Sequence, residues 1–288
     1  LCDAVGLADK VKPLGTVGED EVVAIKLHFG EAGNDPYLHP TFVRQVVDCV
    51  KATGARPFLT DTCTLYKSTR HNAVDHLETA YRHGFTPYVV DAPVIMADGV
   101  TSKCYEEVAV NLKHFASVKI AQAFLSANAM VVLSHFKGHA MGGFGGAIKN
   151  ISIGIASSAG KAWIHSAGKT EDTEKLWSSL PAQDDFLESM AEAAKAIAAH
   201  CGERILYISV MNNLSVDCDC NAHPEPPRMG DIGILASLDP VALDQACVDL
   251  VYASPDEGKV HLIERMESRH GIHTLEHAEA IGIGSRQY

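Results

Sequence analysis

The chain has 288 residues, 47% of them hydrophobic and 21% charged, with a formal net charge of −12. That apolar content fills a full core, in one large domain or two smaller lobes, and the negative charge repels phosphate backbones, which disfavours nucleic acid as a partner. No uninterrupted run of about 18 apolar residues exists, so no transmembrane helix and no membrane partner is expected.

Residues 1–20 lack the basic and apolar pattern of a signal peptide. The first residue is Leu1 rather than Met, as expected if the numbering starts inside a longer gene product. Val22–Phe29 reads as a buried strand interrupted by Lys26 and His28. Gly30, Gly33, Asn34, Asp35 and Pro36 form a loop. A helix follows from about Pro40, with Val43, Val46, Val47 and Val50 on one face and Gly54 as its stop. Arg56–Thr60 is a second strand, ending at Asp61. Asn72 caps a helix that turns Val74, Leu77 and Tyr81 inward and ends at Gly84. Pro87–Val90 reads as the next strand.

Further along, Val108–Val110 is extended, and Val118–Asn128 is a strand followed by a short helix. Ala129–Ser134 is a buried strand that runs into a glycine-rich loop, His139–Gly146. Ala147–Ala156 opens a helix. Lys161–Gln183 is expected to be an exposed excursion. Asp184–His200 is a helix lined by Leu187, Met190, Ala194 and Ile197 and closed by Gly202. Arg204–Val210 is a strand. Asp239 and Pro240 cap and start a helix over Val241–Tyr252. Strands alternating with amphipathic helices define an α/β fold with a mainly parallel sheet flanked by helices. Two lobes, about 1–100 and 101–288, are expected to meet at a cleft outside the strand carboxyl ends.

Cys2, Cys49, Cys63, Cys104, Cys201, Cys218, Cys220 and Cys247 are irregularly spaced and mostly in apolar or helical contexts, the pattern of reduced thiols in a cytoplasmic protein. Fifteen histidines raise the expectation of a metal or proton-transfer site. Polar residues recur where the strands end: Lys26 and His28, Asp61 and Thr62, Asp91, and Ser134 and His135. Ligands of open parallel sheets bind outside those ends.

The densest segment is Ser134–Asn150: strand, glycine loop, helix start. Gly142, Gly143, Gly145 and Gly146 permit close backbone approach to a ligand, and a helix N-terminus offers free N–H groups to an anion. Lys137 and Lys149 add charge, and Asn150 completes the candidate ligand-binding set; the competing reading is a structural glycine turn. The segment is neither a P-loop nor a dinucleotide fingerprint, because Ile148 stands where each needs a different residue. His135 and His139 are candidate metal ligands or hydrogen-bonding residues, with His165 as a third. Asp217-Cys218-Asp219-Cys220 suits a metal better than covalent catalysis, since neighbouring carboxylates disfavour free thiolates unless a cation compensates; the alternative is two cysteines on opposite faces of an extended segment. No ferredoxin cysteine spacing and no Gly-x-Ser-x-Gly elbow is present.

Val23–Glu31, Asp61-Thr62, His135–His139, Gly143–Asn150, Asp217–Cys220 and Asp231–Ser237 with Asp239-Pro240 together resemble the family called domain of unknown function 362. Many members carry a ferredoxin-like insert and are described as iron–sulfur-centre proteins. Between His165 and Asp184, where the insert belongs, this sequence has no cysteine, so a form without it, and without a ferredoxin-type cluster, is expected. The His-containing glycine segment also loosely resembles that of lactate-racemase-type proteins, which implies a two-lobed small-molecule enzyme. Two functions compete. One is a metal-assisted enzyme, an oxidoreductase or isomerase, acting on a small anionic metabolite. Lys26, Lys137 and Lys149 would hold the anion, Asp61 would sit in the catalytic set, and His135 or His139 would transfer a proton or bind iron or zinc with Cys218 and Cys220. The other is a non-catalytic metal or ligand carrier serving a redox partner.

Overall fold

The computed structural model describes residues 17–288; Leu1 and Cys2 lie outside them. β1 (Val22–Lys26), β2 (Arg56–Asp61) and β3 (Val94–Met96) pair in parallel. On the other side of β1 lie β6 (Ala129–His135) and β9 (Ile205–Met211), also parallel, and β10 (Gly233–Ser237) closes that edge antiparallel. The sheet order is β10-β9-β6-β1-β2-β3, so the chain runs outward from β1 in both directions. That reversal opens a crevice at the carboxyl ends of β1 and β6.

Alternation along the strands supplies two cores. Val23 and Ile25 of β1, and Val131 and Leu133 of β6, face α1 (Pro40–Lys51) with its valine stripe Val43, Val46, Val47 and Val50. Ala24, Met130 and Val132 face the opposite layer, built on α7 (Gln183–Cys201) and α8 (Pro240–Ala253). The valine stripe of α1 is the one the sequence periodicity predicts. In α2 (Ala73–Arg82) the cap is as expected, with the Asn72 side chain accepting from the Val74 and Asp75 N–H groups. Its inward face differs. Ala73, His76, Thr79 and Ala80 are buried, while Val74 and Tyr81 are exposed. The small residues let the helix approach the sheet where bulky ones would hold it off.

Other expectations are corrected. Pro87–Val90 is α3, a helical turn rather than a strand: Pro87 stands at its first position and Asp91 ends it in the left-handed region. The strand it displaces is β3. A two-stranded ribbon, β4 (Tyr105–Ala109) and β5 (Ser117–Ala121), leads into α4 (Gln122–Ser126). The glycine-rich loop is a hairpin, β7 (Lys137–His139) with β8 (Gly143–Gly145), and the helix after it, α5 (Ala147–Asn150), lasts one turn. Lys161 and His165 do not lie on an exposed excursion. They sit buried on α6 (Ser158–His165), whose start is capped by the Ser157 hydroxyl accepting from Gly160 N–H. α9 (Lys259–Ser268) and α10 (His273–Ala280) complete the chain. Among the described residues Cys63, Cys104, Cys201, Cys218, Cys220 and Cys247 are free. No helix among the described residues is long and apolar enough to cross a membrane.

Candidate functional site

A cavity of about 250 Å³ opens at the β1–β6 reversal, walled by the β7–β8 hairpin and by α6. Lys26, Asp61, His135, Lys137, His139, Lys149, Asn150, His165 and Cys220 all line it, so residues from six separate segments converge there.

Its floor is a set of buried ion pairs. Lys26 Nζ donates to Asp61 Oδ1 at 3.0 Å, Asn150 Oδ1 at 2.7 Å and the Leu27 carbonyl at 2.9 Å. Burial works to raise the Asp61 carboxyl, but the charge of Lys26 together with those of His28, His76 and Arg70 outweighs it and holds the group far below the usual carboxylate range. Asp219 accepts from Lys137 Nζ at 2.5 Å and bonds His135 Nδ1 at 2.8 Å. His135 Nε2 faces the Asn212 carbonyl at 2.7 Å. Both ring nitrogens of His135 thus meet acceptors, and neither offers a lone pair to a metal. The structure groups the other expected ligands without it: one donor atom from each of His139, Cys218 and Cys220 lies within 4.8 Å of the others. His165 stands apart from that set. Its Nδ1 bonds the Lys161 carbonyl at 2.7 Å, and since a carbonyl only accepts, the lone pair lies on Nε2. Burial pushes the His165 imidazole down to about 4, which keeps it neutral.

The Asp219 charge works to raise the Cys218 thiol, as the sequence argument holds, but other contacts outweigh it. Asp217 and Asp219 turn to Arg265 and to His135 with Lys137, respectively, while Lys149 Nζ reaches Cys218 Sγ at 3.7 Å. A hydrogen bond from the Cys220 thiol and, against burial, the Lys149 charge hold Cys218 well below the usual thiol value. Thiolate is favoured at Cys218 without a metal, whereas the shared hydrogen bond and burial push the Cys220 thiol up; two sulfurs beside an imidazole form a donor set suited to zinc or iron. His139 Nδ1 accepts from the Met141 and Gly142 N–H groups at 3.2 and 2.9 Å. Burial holds that ring well below its ordinary value and so neutral. Metal ligation by His139 would therefore be accompanied by proton release or by loosening of the hairpin turn.

The helix start does not present free N–H groups to a ligand. Ala147 and Ile148 N–H donate to the Asp244 carboxyl group at 2.7 and 2.9 Å, so an internal acceptor already occupies that position. The glycines serve this packing. A Cβ at Gly146 would stand 2.3 Å from Asp244 Oδ1, and one at Gly143, where φ is +78°, 2.9 Å from Gly271 Cα. Gly142 and Gly143 touch protein rather than the cavity, which Gly145 and Gly146 do line.

Burial pushes the Asp244 carboxyl up to about 7, against two N–H bonds that favour its ionised form. The native state thus retains a proton that the unfolded chain loses near 3.8. The stabilisation from that proton is full below about pH 4 and declines by about 1.4 kcal/mol per pH unit as the pH rises toward 7. Asp244→Asn is expected to remove this slope in urea unfolding measured from pH 4 to 8. An unchanged slope would place the titration elsewhere.

Sequence reasoning missed Lys161. Its Nζ donates to Thr62 Oγ1 and, at 2.6 Å, to the Ala156 carbonyl; among the described residues no carboxylate lies within ion-pair distance. Burial lowers this lysine to about 8. The Ser157 cap was the available signal, since it marks a helix that carries Lys161 and His165 inward.

Fold and site together define a doubly wound α/β protein with a cation-rich cavity and a candidate His–Cys–Cys metal-ligand set at its wall. Residues 23–249 match the family described as "Domain of unknown function (DUF362)", and the chain belongs to that family. No curated protein matches the chain. Among solved structures it is similar to the lactate racemase apoprotein from Thermoanaerobacterium thermosaccharolyticum, at 15% identity and TM-score 0.49, over 83% of this chain and 51% of that one. It is also similar to a protein from Thermotoga maritima, at 10% identity and TM-score 0.48, over 96% of this chain and 57% of that one. The chain thus spans little more than half the length of either.

Proposed function

We propose that this protein is a metal-assisted enzyme acting on a small anionic metabolite. One juxtaposition carries the reading: His139, Cys218 and Cys220 converge at the wall of the cavity into which Lys161 and His165 also face. Three protein ligands leave a further coordination position for water or substrate, the arrangement of catalytic rather than structural sites. A bound divalent ion would supply Lewis-acid polarisation of a substrate oxygen. Lys161, a buried ammonium hydrogen-bonded to two neutral oxygens, with Asp98 and Asp61 near but not in contact, binds the anionic group of the substrate. Lys26 and Lys137, already neutralised by Asp61 and Asp219, hold the floor rigid. His165 Nε2 accepts a proton from, or returns one to, the bound molecule. A carrier would need the sulfur and imidazole ligands but not an unpaired cation aimed at the same space.

The test uses protein purified without oxygen and without a histidine tag. Elemental analysis is expected to find stoichiometric iron or zinc, lost in the Cys218→Ser/Cys220→Ser variant. Lys161→Met is expected to retain the metal but lose the thermal protection that small carboxylates or phosphate give the parent. Full metal content in the double serine variant, or unchanged anion protection in Lys161→Met, would sink the reading.

A further inference from the structure

A second group of metal-ligating side chains lies on the surface, away from the cavity floor. Asp184 stands in the first turn of α7, His270 in the turn between α9 and α10, and His273 at the start of α10. One donor atom from each lies within 4.8 Å of the others. We propose that these three residues form a separate binding site for a divalent cation of the zinc class, independent of the cavity.

The argument begins with the ligands. Two imidazoles and a carboxylate are a nitrogen-and-oxygen set that suits zinc, with water completing the coordination. The two rings are stacked, with centroids 5.1 Å apart and planes 15° from parallel. His273 turns Nε2 to Glu188 Oε1 at 3.2 Å and Nδ1 to Glu276 Oε2 at 3.4 Å, so a cation bound there displaces one of these contacts. His270 Nδ1 already lies 2.8 Å from Asp184 Oδ1, and its backbone is held at φ +51°. The turn is fixed further by Gly271 N–H donating to the Met266 carbonyl at 2.8 Å. Both His270 and Asp184 are about half exposed, at 53% and 51%, so a hydrated ion can reach them.

A neighbouring group shows what a filled position looks like. His114, Asp185 and Glu188 also converge, but Lys113 Nζ sits 2.6 Å from Glu188 and 3.4 Å from Asp185. That ammonium already neutralises the carboxylates. Among the described residues no lysine or arginine pairs with Asp184, and the net charge of −12 draws cations toward the surface.

The site is mechanically linked to the cavity. The Gln183 side-chain amide donates to the Met141 carbonyl at 2.7 Å and to the Arg269 carbonyl at 2.8 Å. Gly271 packs against Gly143 at the hairpin tip, two residues beyond Met141. A cation holding His270 and His273 to Asp184 therefore braces the hairpin that carries His139.

The experiment is zinc chloride titration of chelator-treated protein, read by thermal unfolding and by bound zinc after dialysis. In the Cys218→Ser/Cys220→Ser background, zinc is expected still to raise Tm and to saturate. Adding His270→Ala and His273→Ala is expected to weaken the apparent affinity at least tenfold, while magnesium has little effect on either protein. In the otherwise unaltered chain, the two alanines are expected to remove about one equivalent of bound zinc while leaving the cavity site loaded. An undiminished zinc response after the histidine substitutions would overturn the proposal. So would the absence of any response in the serine background with the parent binding zinc at the cavity alone.

Discussion

Lys26→Met is expected to destabilise the protein by about 3–5 kcal/mol, because it strands a buried carboxylate. Lys26 is 1% exposed, and its three donors are all engaged at the centre of the sheet. Methionine fills much of the same volume but leaves Asp61 with no counter-charge in contact. Among the described residues Asp61 Oδ2 already lacks a hydrogen-bond partner, as do both ring nitrogens of His76, whose Nε2 lies 3.8 Å from it. In the parent the Asp61 carboxyl is depressed, so its contribution is present above the unfolded value near 3.8 and fades as the pH falls through the lower folded value. In the variant the sign inverts: burial then favours the neutral acid, and part of the lost stability returns as the pH drops toward 4. Urea unfolding at pH 7 and pH 5 reads both effects. The double variant Lys26→Met/Asp61→Leu should be more stable than Lys26→Met alone, since a pair replaced by apolar groups leaves no orphan charge. A double variant as unstable as the sum of the two single changes would show that the ion pair is not what holds this floor together.

Gly138→Ala is expected to cost about 3 kcal/mol and to disperse the candidate metal ligands. A Cβ at this position would lie 2.2 Å from the Val216 carbonyl oxygen, 2.6 Å from its carbon and 2.7 Å from its Cα. All three atoms are backbone, so no side-chain rotation relieves the overlap. The strand carrying Gly138 is tied to the facing segment through its own N–H, which donates to the Ser215 carbonyl at 2.8 Å. That segment leads directly to Cys218 and Cys220, while the hairpin carries His139. Forcing the two apart therefore separates imidazole from sulfur as well as destabilising the fold. Gly145→Ala is the contrast, because its Cβ would meet only flexible lysine side chains, with Lys149 Cδ nearest at 3.3 Å. Denaturant midpoints and zinc uptake measured on both variants separate the cases. Equal stability and equal uptake in the two would falsify the close-approach argument.

Local patterning along the chain sets its class. Buried runs such as Val22–Lys26 and Ala129–His135, the valine stripe of α1, and the caps at Asn72 and Asp239 depend on neighbours within a few residues. Periodicity and cap chemistry report such features directly. The same locality explains the errors. Pro87–Val90 carries β-branched residues, yet a proline in the first helical position and a left-handed Asp91 make one helical turn. The inward face of α2 was misplaced because how closely a helix approaches a sheet depends on what lies opposite, here the sheet around β3.

The candidate ligand residues His139, Cys218 and Cys220 were visible in the sequence as reactive types near glycine and aspartate. Their convergence was not, because residues about eighty positions apart meet only once the sheet and hairpin are assembled. Charge pairing is equally non-local. Lys26, Lys137 and Lys149 looked like the cations for an anion, but folding gives the first two to Asp61 and Asp219 and sets the third against Cys218. The N–H groups of α5, which its sequence presented as open, are closed by Asp244 from a helix about a hundred residues later. What sequence alone determined is which segments are strands and helices and which reactive groups exist. Tertiary structure alone decided which charges are neutralised in contact and which, like Lys161, meet only a hydroxyl and a carbonyl, because burial and ion pairing act through space between residues that no local pattern links.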